Sequence, residues 1–200
     1  DGKLVYNGSD QAPIPTVTEL EEKDISDVYV VNVYKNLEDT KALGKGEYTD
    51  AGSYVVKVEI KEEYKINYGF WKNTEEYKEY EIEKIGLDVV WGNKDLTYNG
   101  ENQAPTAEVM IDDSMVACEV VVTVDEEKVT KYKNAGTTYK AVAKLDNSNY
   151  ALNNAELDYE IKQCPVTVTI DNQTKTYGEE DPELTCSKEG LPENLESKFN

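Results

Sequence analysis

Three classes of side chain here could do chemistry: cysteines, carboxylates and clustered aromatic rings. The cysteines are Cys118, Cys164 and Cys186, an odd number without a C-x-x-C pair. A nucleophilic thiolate needs a base beside it, and the chain has no histidine. Cys118 lies in an alternating apolar run, residues 115–124, and reads as a buried free thiol in a strand. Cys164 and Cys186 share the last part of the chain, where a disulfide is the alternative to two free thiols. Acidic residues come in pairs and triplets, such as Glu62-Glu63, Asp112-Asp113, 125–127 and 179–181. Two carboxylates at a set distance hydrolyse glycosides. With 41 acidic against 21 basic residues, however, these read as a solvated acidic surface. No D-x-[DN]-x-[DN]-G loop is present, so no cofactor is expected; calcium at the acidic loops is the minor alternative. The aromatic cluster of Tyr64, Tyr68, Phe70, Trp71, Tyr77 and Tyr80 is the most distinctive local feature. Rings of this kind stack on sugar faces or anchor a protein partner, which makes Tyr68, Phe70 and Trp71 the candidate ligand-binding residues. The competing reading has Phe70 and Trp71 capping the core between two strands. Trp91, beside Gly92, reads as packing at a unit junction.

Composition excludes more than it proposes. All 21 basic residues are lysine, and the net charge is −20. Without histidine there is no Ser-His-Asp relay, imidazole zinc site or histidine switch. Without arginine there is no bidentate clamp on phosphate. Gly44-Lys45-Gly46 lacks the spacing and the following helix of a phosphate loop. The charge opposes nucleic acid and anionic lipid, and no apolar run is long enough to span a bilayer. The expectation is a non-enzyme with neither nucleic-acid binding nor membrane insertion, and a monomer.

What must position these residues is a repeat. Leu4-Val5-Tyr6-Asn7-Gly8 returns as Leu96-Thr97-Tyr98-Asn99-Gly100, 92 residues on. Each continues to Gln-Ala-Pro, at Gln11-Ala12-Pro13 and Gln103-Ala104-Pro105. Later landmarks keep their order: Asp50-Ala51-Gly52 with Asn134-Ala135-Gly136, Asn67-Tyr68 with Asn149-Tyr150, Tyr80-Glu81-Ile82 with Tyr159-Glu160-Ile161. A weaker third copy starts at Thr176-Tyr177-Gly178. The expected units are residues 1–84, with a first strand missing, 85–162, and an incomplete 163–200, as though cut from a longer array. The short junctions limit motion between neighbours and favour an extended rod.

Period-two alternation of β-branched and aromatic residues predicts strands near 28–33, 54–60, 80–82, 87–91, 116–124, 138–145, 157–161 and 166–170. Asn-Gly and Asn-rich turns separate them, and residues 18–23 read as a loop or a single helical turn. Many short strands predict an all-β fold of tandem immunoglobulin-like sandwiches, with a β-grasp-like unit as the alternative. Asp50-Ala51-Gly52-Ser53-Tyr54 has the form of a tyrosine corner, in which the phenol hydroxyl satisfies a backbone group at the sandwich edge. In the second copy Tyr139 comes one residue late, so a corner there requires a bulge.

The ordered Asp/Asn-Ala-Gly, Asn-Tyr and Tyr-Glu-Ile landmarks resemble bacterial Ig-like surface repeats. The Tyr-Asn-Gly…Ala-Pro openings, and the run Thr176-Tyr177-Gly178-Glu179-Glu180-Asp181-Pro182, resemble MBG/YDG-type repeats of bacterial cell-surface proteins. The resemblance implies an extracellular segment, secreted or on the bacterial cell surface, with adhesion or spacing roles and no catalytic residues. Its implied partners are neighbouring repeats and, for an adhesin or carbohydrate-binding module, a host glycan or surface protein.

Overall fold

Alternating apolar residues need a sheet face to cover them, and among the described residues every regular element but one short turn of helix is a strand. The computed structural model describes residues 3–14, 27–70 and 76–192. Residues 18–23 and Trp71 lie outside the described residues. The strands in order are β1 (Leu4–Val5), β2 (Tyr29–Tyr34), β3 (Gly52–Ile60), β4 (Tyr77–Glu83), β5 (Ile85–Asp88), β6 (Val90–Gly92), β7 (Leu96–Thr97) and β8 (Thr106–Ile111). They continue as β9 (Ser114–Ala117), β10 (Glu119–Val124), β11 (Glu127–Lys128), β12 (Thr138–Lys144), β13 (Tyr150–Asn153), β14 (Glu156–Lys162), β15 (Thr167–Ile170) and β16 (Cys186–Glu189). Among the described residues the only helical element is one 3₁₀ turn, Glu62–Tyr64. The chain forms two compact units: Asp1–Leu87 with Asp146–Ala151, and Asp88–Leu145 with Leu152–Asn200.

The first unit carries a four-stranded sheet in the order β1-β4-β3-β2. β2, β3 and β4 are antiparallel, and the short β1 runs parallel to β4, with Leu4 opposite Ile82. The second unit carries a five-stranded sheet in the order β11-β10-β12-β14-β7. Its edge repeats the pattern: β7 runs parallel to β14, with Leu96 opposite Ile161. A three-stranded sheet, β6-β8-β9, and the ribbon of β15 with β16 also belong to that unit. Ile82 and Ile161, the matched residues of the two edges, are 0% and 1% exposed. Truncating such a side chain to alanine costs about 2–5 kcal/mol.

Beside each isoleucine lies a pair of stacked tyrosines. Tyr54 faces Tyr80 across β3 and β4, with ring centroids 5.7 Å apart and planes at 23°. Tyr139 faces Tyr159 across β12 and β14, at 5.5 Å and 28°. Such pairs add about 0.5–1.5 kcal/mol beyond the area they bury, whereas an unpaired buried hydroxyl costs about 1–3 kcal/mol. The stack therefore stabilises only if its hydroxyls are bonded, and all four are. Tyr80 donates to Gln11 O at 2.8 Å, and Tyr159 donates to Gln103 O at 2.9 Å. Tyr54 donates to Asp50 O at 2.9 Å, four residues back. Tyr139 donates to Asn134 O at 3.4 Å, five residues back, and accepts from Asn134 N at 3.1 Å.

The extra residue of the second corner goes into a bulge. Gly52 pairs with Ile82 and Tyr54 with Tyr80, so the spacing matches on both strands. In the second copy Gly136 N donates to Ile161 O while Thr138 pairs with Glu160. Two steps on one strand thus oppose one on the other, and Gly136 takes φ of 73° to allow it.

Several sequence expectations shift in detail. The run 116–124 is two strands, β9 and β10, interrupted at Cys118, whose N–H donates to Ala107 O. Cys118 is half-buried rather than buried. Trp91 packs against the core around Leu96, Tyr139 and Ile161 and donates to Asn154 O at 3.0 Å. Asp112-Asp113 and Asp125-Glu126 are hairpin turns: Ile111 pairs with Ser114, Val124 with Glu127, and all four turn residues have positive φ. Two-residue hairpins of the primed type require that conformation, and Asp tolerates it better than Glu.

The doubled hydrogen bond of Tyr139 generates a prediction. Tyr54→Phe removes one donor from one carbonyl and lowers unfolding free energy by about 1 kcal/mol. Tyr139→Phe also strands the Asn134 N–H and costs more, about 1–3 kcal/mol. Urea denaturation of the two variants should rank them in that order.

Candidate functional site

Where β3 ends, at Ile60, the chain enters a loop that holds most of the candidate aromatic residues. The 3₁₀ turn Glu62–Tyr64 starts it, with Tyr64 N donating to Lys61 O at 2.9 Å. Asn67 N and Tyr68 N then both donate to Tyr64 O, each at 3.0 Å. This tight winding sets the Tyr64 and Tyr68 rings edge to face, 6.2 Å apart at 78°. Tyr68 is 47% exposed and Phe70 is half-buried. Ile66, between the two rings in sequence, is 94% exposed. Of the three expected contact residues, Tyr68 and Phe70 thus lie on this loop, and Trp71 is outside the described residues. Ile66 was missed by sequence reasoning because it stands alone between Lys65 and Asn67, with no alternation around it. Lys65 pairs with Glu62 at 2.5 Å on the exposed surface, which is worth little in water. These rings and the isoleucine can bind by contact and stacking.

The carboxylate with the most structured surroundings is Glu59. Its Oε2 accepts from Asn32 Nδ2 at 2.6 Å and from Tyr34 OH at 2.7 Å. Asn32, then Tyr34, hold its carboxyl below the usual glutamate value. A group held ionised this way accepts hydrogen bonds but cannot serve as a general acid. Tyr34 is pushed up, first by burial and then by Glu59, and Lys57 Nζ lies 4.2 Å from its ring centroid.

The thiols offer little more. Cys118, Cys164 and Cys186 are all free. Burial pushes the Cys118 thiol up, which depletes its thiolate. Cys164 Sγ donates to Gly190 O at 2.9 Å, and Cys186 is exposed on β16. Among the described residues no group of three Cys, Asp or Glu side chains converges to hold a metal ion. Nor, among them, is any helix long and apolar enough to cross a membrane.

An open cleft lies in each unit. In the first, about 490 Å³ lies beside Leu37, Ser53, Glu79 and Glu81, where Lys35 Nζ sits 4.0 Å from the Tyr54 ring centroid. In the second, about 600 Å³ lies between the Asn134-Ala135 turn and the residues around Cys164.

Comparison with known proteins bears on the last part of the chain. Residues 166–196 match the family model of the MBG domain (YGX type). This stretch contains Tyr177-Gly178 and the β15–β16 ribbon, so the resemblance to MBG-type repeats holds there. No curated protein and no solved structure matches the chain.

The Glu59 cluster is testable by its titration. A carboxyl whose folded value is depressed contributes stability above the unfolded value, and that contribution is lost as pH falls through the folded one. Carboxyl-carbon NMR should place the Glu59 midpoint below the ordinary glutamate value of about 4.3. Tyr34→Phe removes one of its two donors and should move the midpoint upward.

Proposed function

We propose that this chain is a non-catalytic repeat segment of a secreted or wall-attached bacterial surface protein, acting as a stalk or spacer. In this reading each full copy is an immunoglobulin-like sandwich unit. The observation that carries the proposal is the duplicated framework. The parallel edge, the buried isoleucine and the hydroxyl-bonded tyrosine pair recur at matched landmarks, while the loops between them differ. Conserving a scaffold while letting loops drift suits a module whose task is to fold and space. The MBG-type match at residues 166–196 supports a surface-protein repeat. A net charge of −20 keeps such a segment solvated, monomeric and away from nucleic acid and anionic membranes. Its partners are then the neighbouring repeats, in an extracellular setting.

A second reading, an adhesin or carbohydrate-binding module, is favoured by the exposure of Ile66 and Tyr68 on the aromatic loop. Tyr68, Phe70 and Trp71 would then be the contact residues.

Both readings are separated by screening the chain and its Phe70→Ala/Trp71→Ala variant against a glycan array and host-matrix proteins. The spacer reading predicts no specific signal from either folded protein. A specific signal lost in the variant would replace it with the adhesive one.

A further inference from the structure

Among the described residues Asn149 is the one buried polar side chain, at 7% exposure, and the first unit explains why. An Asx turn shapes its loop, with Asn149 N donating to Asn147 Oδ1 at 3.0 Å. Ala51 N donates to Asn149 Oδ1 at 2.7 Å, and Asn149 Nδ2 donates to Asp50 Oδ1 at 2.9 Å. Ile85 N donates to Asn149 O at 3.0 Å. The next residue, Tyr150, sets its ring edge-on to Tyr6, 5.9 Å between centroids. All of these groups belong to the first unit, which includes Asp146–Ala151. The turn that receives the asparagine is the Asp-Ala-Gly turn held from behind by the Tyr54 hydroxyl.

Every receiving residue has a counterpart in the second copy. Tyr6 corresponds to Tyr98, Asp50 to Asn134, and Ala51 to Ala135. Ile85, three residues past Ile82, corresponds to Cys164, three past Ile161. In the second unit these four counterparts, Tyr98, Asn134, Ala135 and Cys164, line one open cleft of about 600 Å³. Their turn is held from behind in the same way, by the Tyr139 hydroxyl on Asn134 O. The side chain of Asn134 keeps the carbonyl acceptor that the carboxylate of Asp50 provides. The Ala135 N–H is the counterpart of the donor that binds Asn149.

We infer that this cleft is a docking socket for an Asx turn ending in Asn-Tyr, presented by a further repeat of the same kind. The asparagine amide would bridge the Ala135 N–H and the Asn134 side chain, and the tyrosine ring would meet Tyr98. Val166 and Leu191, which also line the cleft, would supply the apolar contact. The occupied turn of the first unit is the template for this chemistry.

The test is NMR titration of the isotope-labelled chain with a cyclised peptide of residues 146–152. A preorganised loop with three or four contacts should bind with Kd of about 1 mM. The Ala135 and Cys164 amides should shift and saturate, while Ala51, whose turn is already filled, stays put. A peptide carrying Asn149→Ala should give no saturable shift. In the chain, Asn134→Leu should weaken binding about 10-fold, and its fold is preserved because the bonds to Tyr139 use only the Asn134 backbone. Equal shifts from both peptides, shifts at Ala51 in place of Ala135, or no shift up to about 10 mM would each overturn the socket. Ala135 reports on the socket alone, and glycan or matrix binding on the spacer reading, so the failure of one is distinguishable from failure of the other.

Discussion

A phenol ring can be buried only if its hydroxyl finds an acceptor there, and this chain is organised around meeting that condition twice. The acceptors are main-chain carbonyls of two turns that are far apart in sequence. In the first unit they are Gln11 O and Asp50 O; in the second, Gln103 O and Asn134 O. One stacked pair thus fixes the Gln-Ala-Pro segment and the Ala-Gly turn against the same sheet. The neighbouring bonds follow suit: Tyr6 N meets Glu83 O and Tyr98 N meets Lys162 O, both at 2.9 Å. Gln11 N likewise meets Tyr48 O, and Gln103 N meets Tyr132 O. A composition with only 38% hydrophobic residues can build cores this way, because tyrosine brings apolar area together with a polar end that anchors a turn.

Much of this framework was legible in the sequence, for a physical reason. The corner needs glycine and tyrosine at set places, and the edge needs an alternating strand, so their spacing is constrained in both copies. The late arrival of Tyr139 correctly signalled a bulge at Gly136. Less legible were β8 and β13, whose residues mix exposed glutamate, methionine or asparagine into short pairings that only their partner strands justify. The acidic pairs are exposed as expected, and they have a second role. Asp112-Asp113 and Asp125-Glu126 read as surface charge, yet each closes a hairpin in a conformation usually left to Asn-Gly. Trp91 packs on the core around Leu96, and its indole N–H finds Asn154 O, a contact that no local pattern announces. At the candidate site the rings were visible in the sequence, and the exposure of Ile66 was not.

The division between constrained framework and variable loops also orders the functional readings. Chemistry at a site needs groups held by the scaffold, and the carboxylate of Glu59 is held below its ordinary value by Asn32 and Tyr34. The exposed Tyr68 and Ile66 sit on a loop that differs between copies. The Asn134-Ala135 turn lines an open cleft, and its counterpart in the first unit receives Asn149. That likeness is what the inferred docking socket rests on.

The central claim is that the paired tyrosines are bonded in the folded state, with Tyr54, Tyr139 and Tyr159 buried and Tyr80 half-buried. Burial raises Tyr80 and Tyr159 most strongly, with smaller contributions from Tyr54 and Tyr48 in one case and from Tyr139 and Tyr132 in the other. Tyr34 and Tyr54 are raised too. A folded value raised above the unfolded phenol value of about 10 gives stability that is complete below that pH and lost as pH climbs above it. The most direct measurement is an alkaline titration that follows phenolate absorbance and β-sheet circular dichroism together. The account predicts that a distinct fraction of the 15 tyrosines ionises only in the step in which the sheet signal is lost. Smooth ionisation of all of them near pH 10, with the sheet intact, would contradict it.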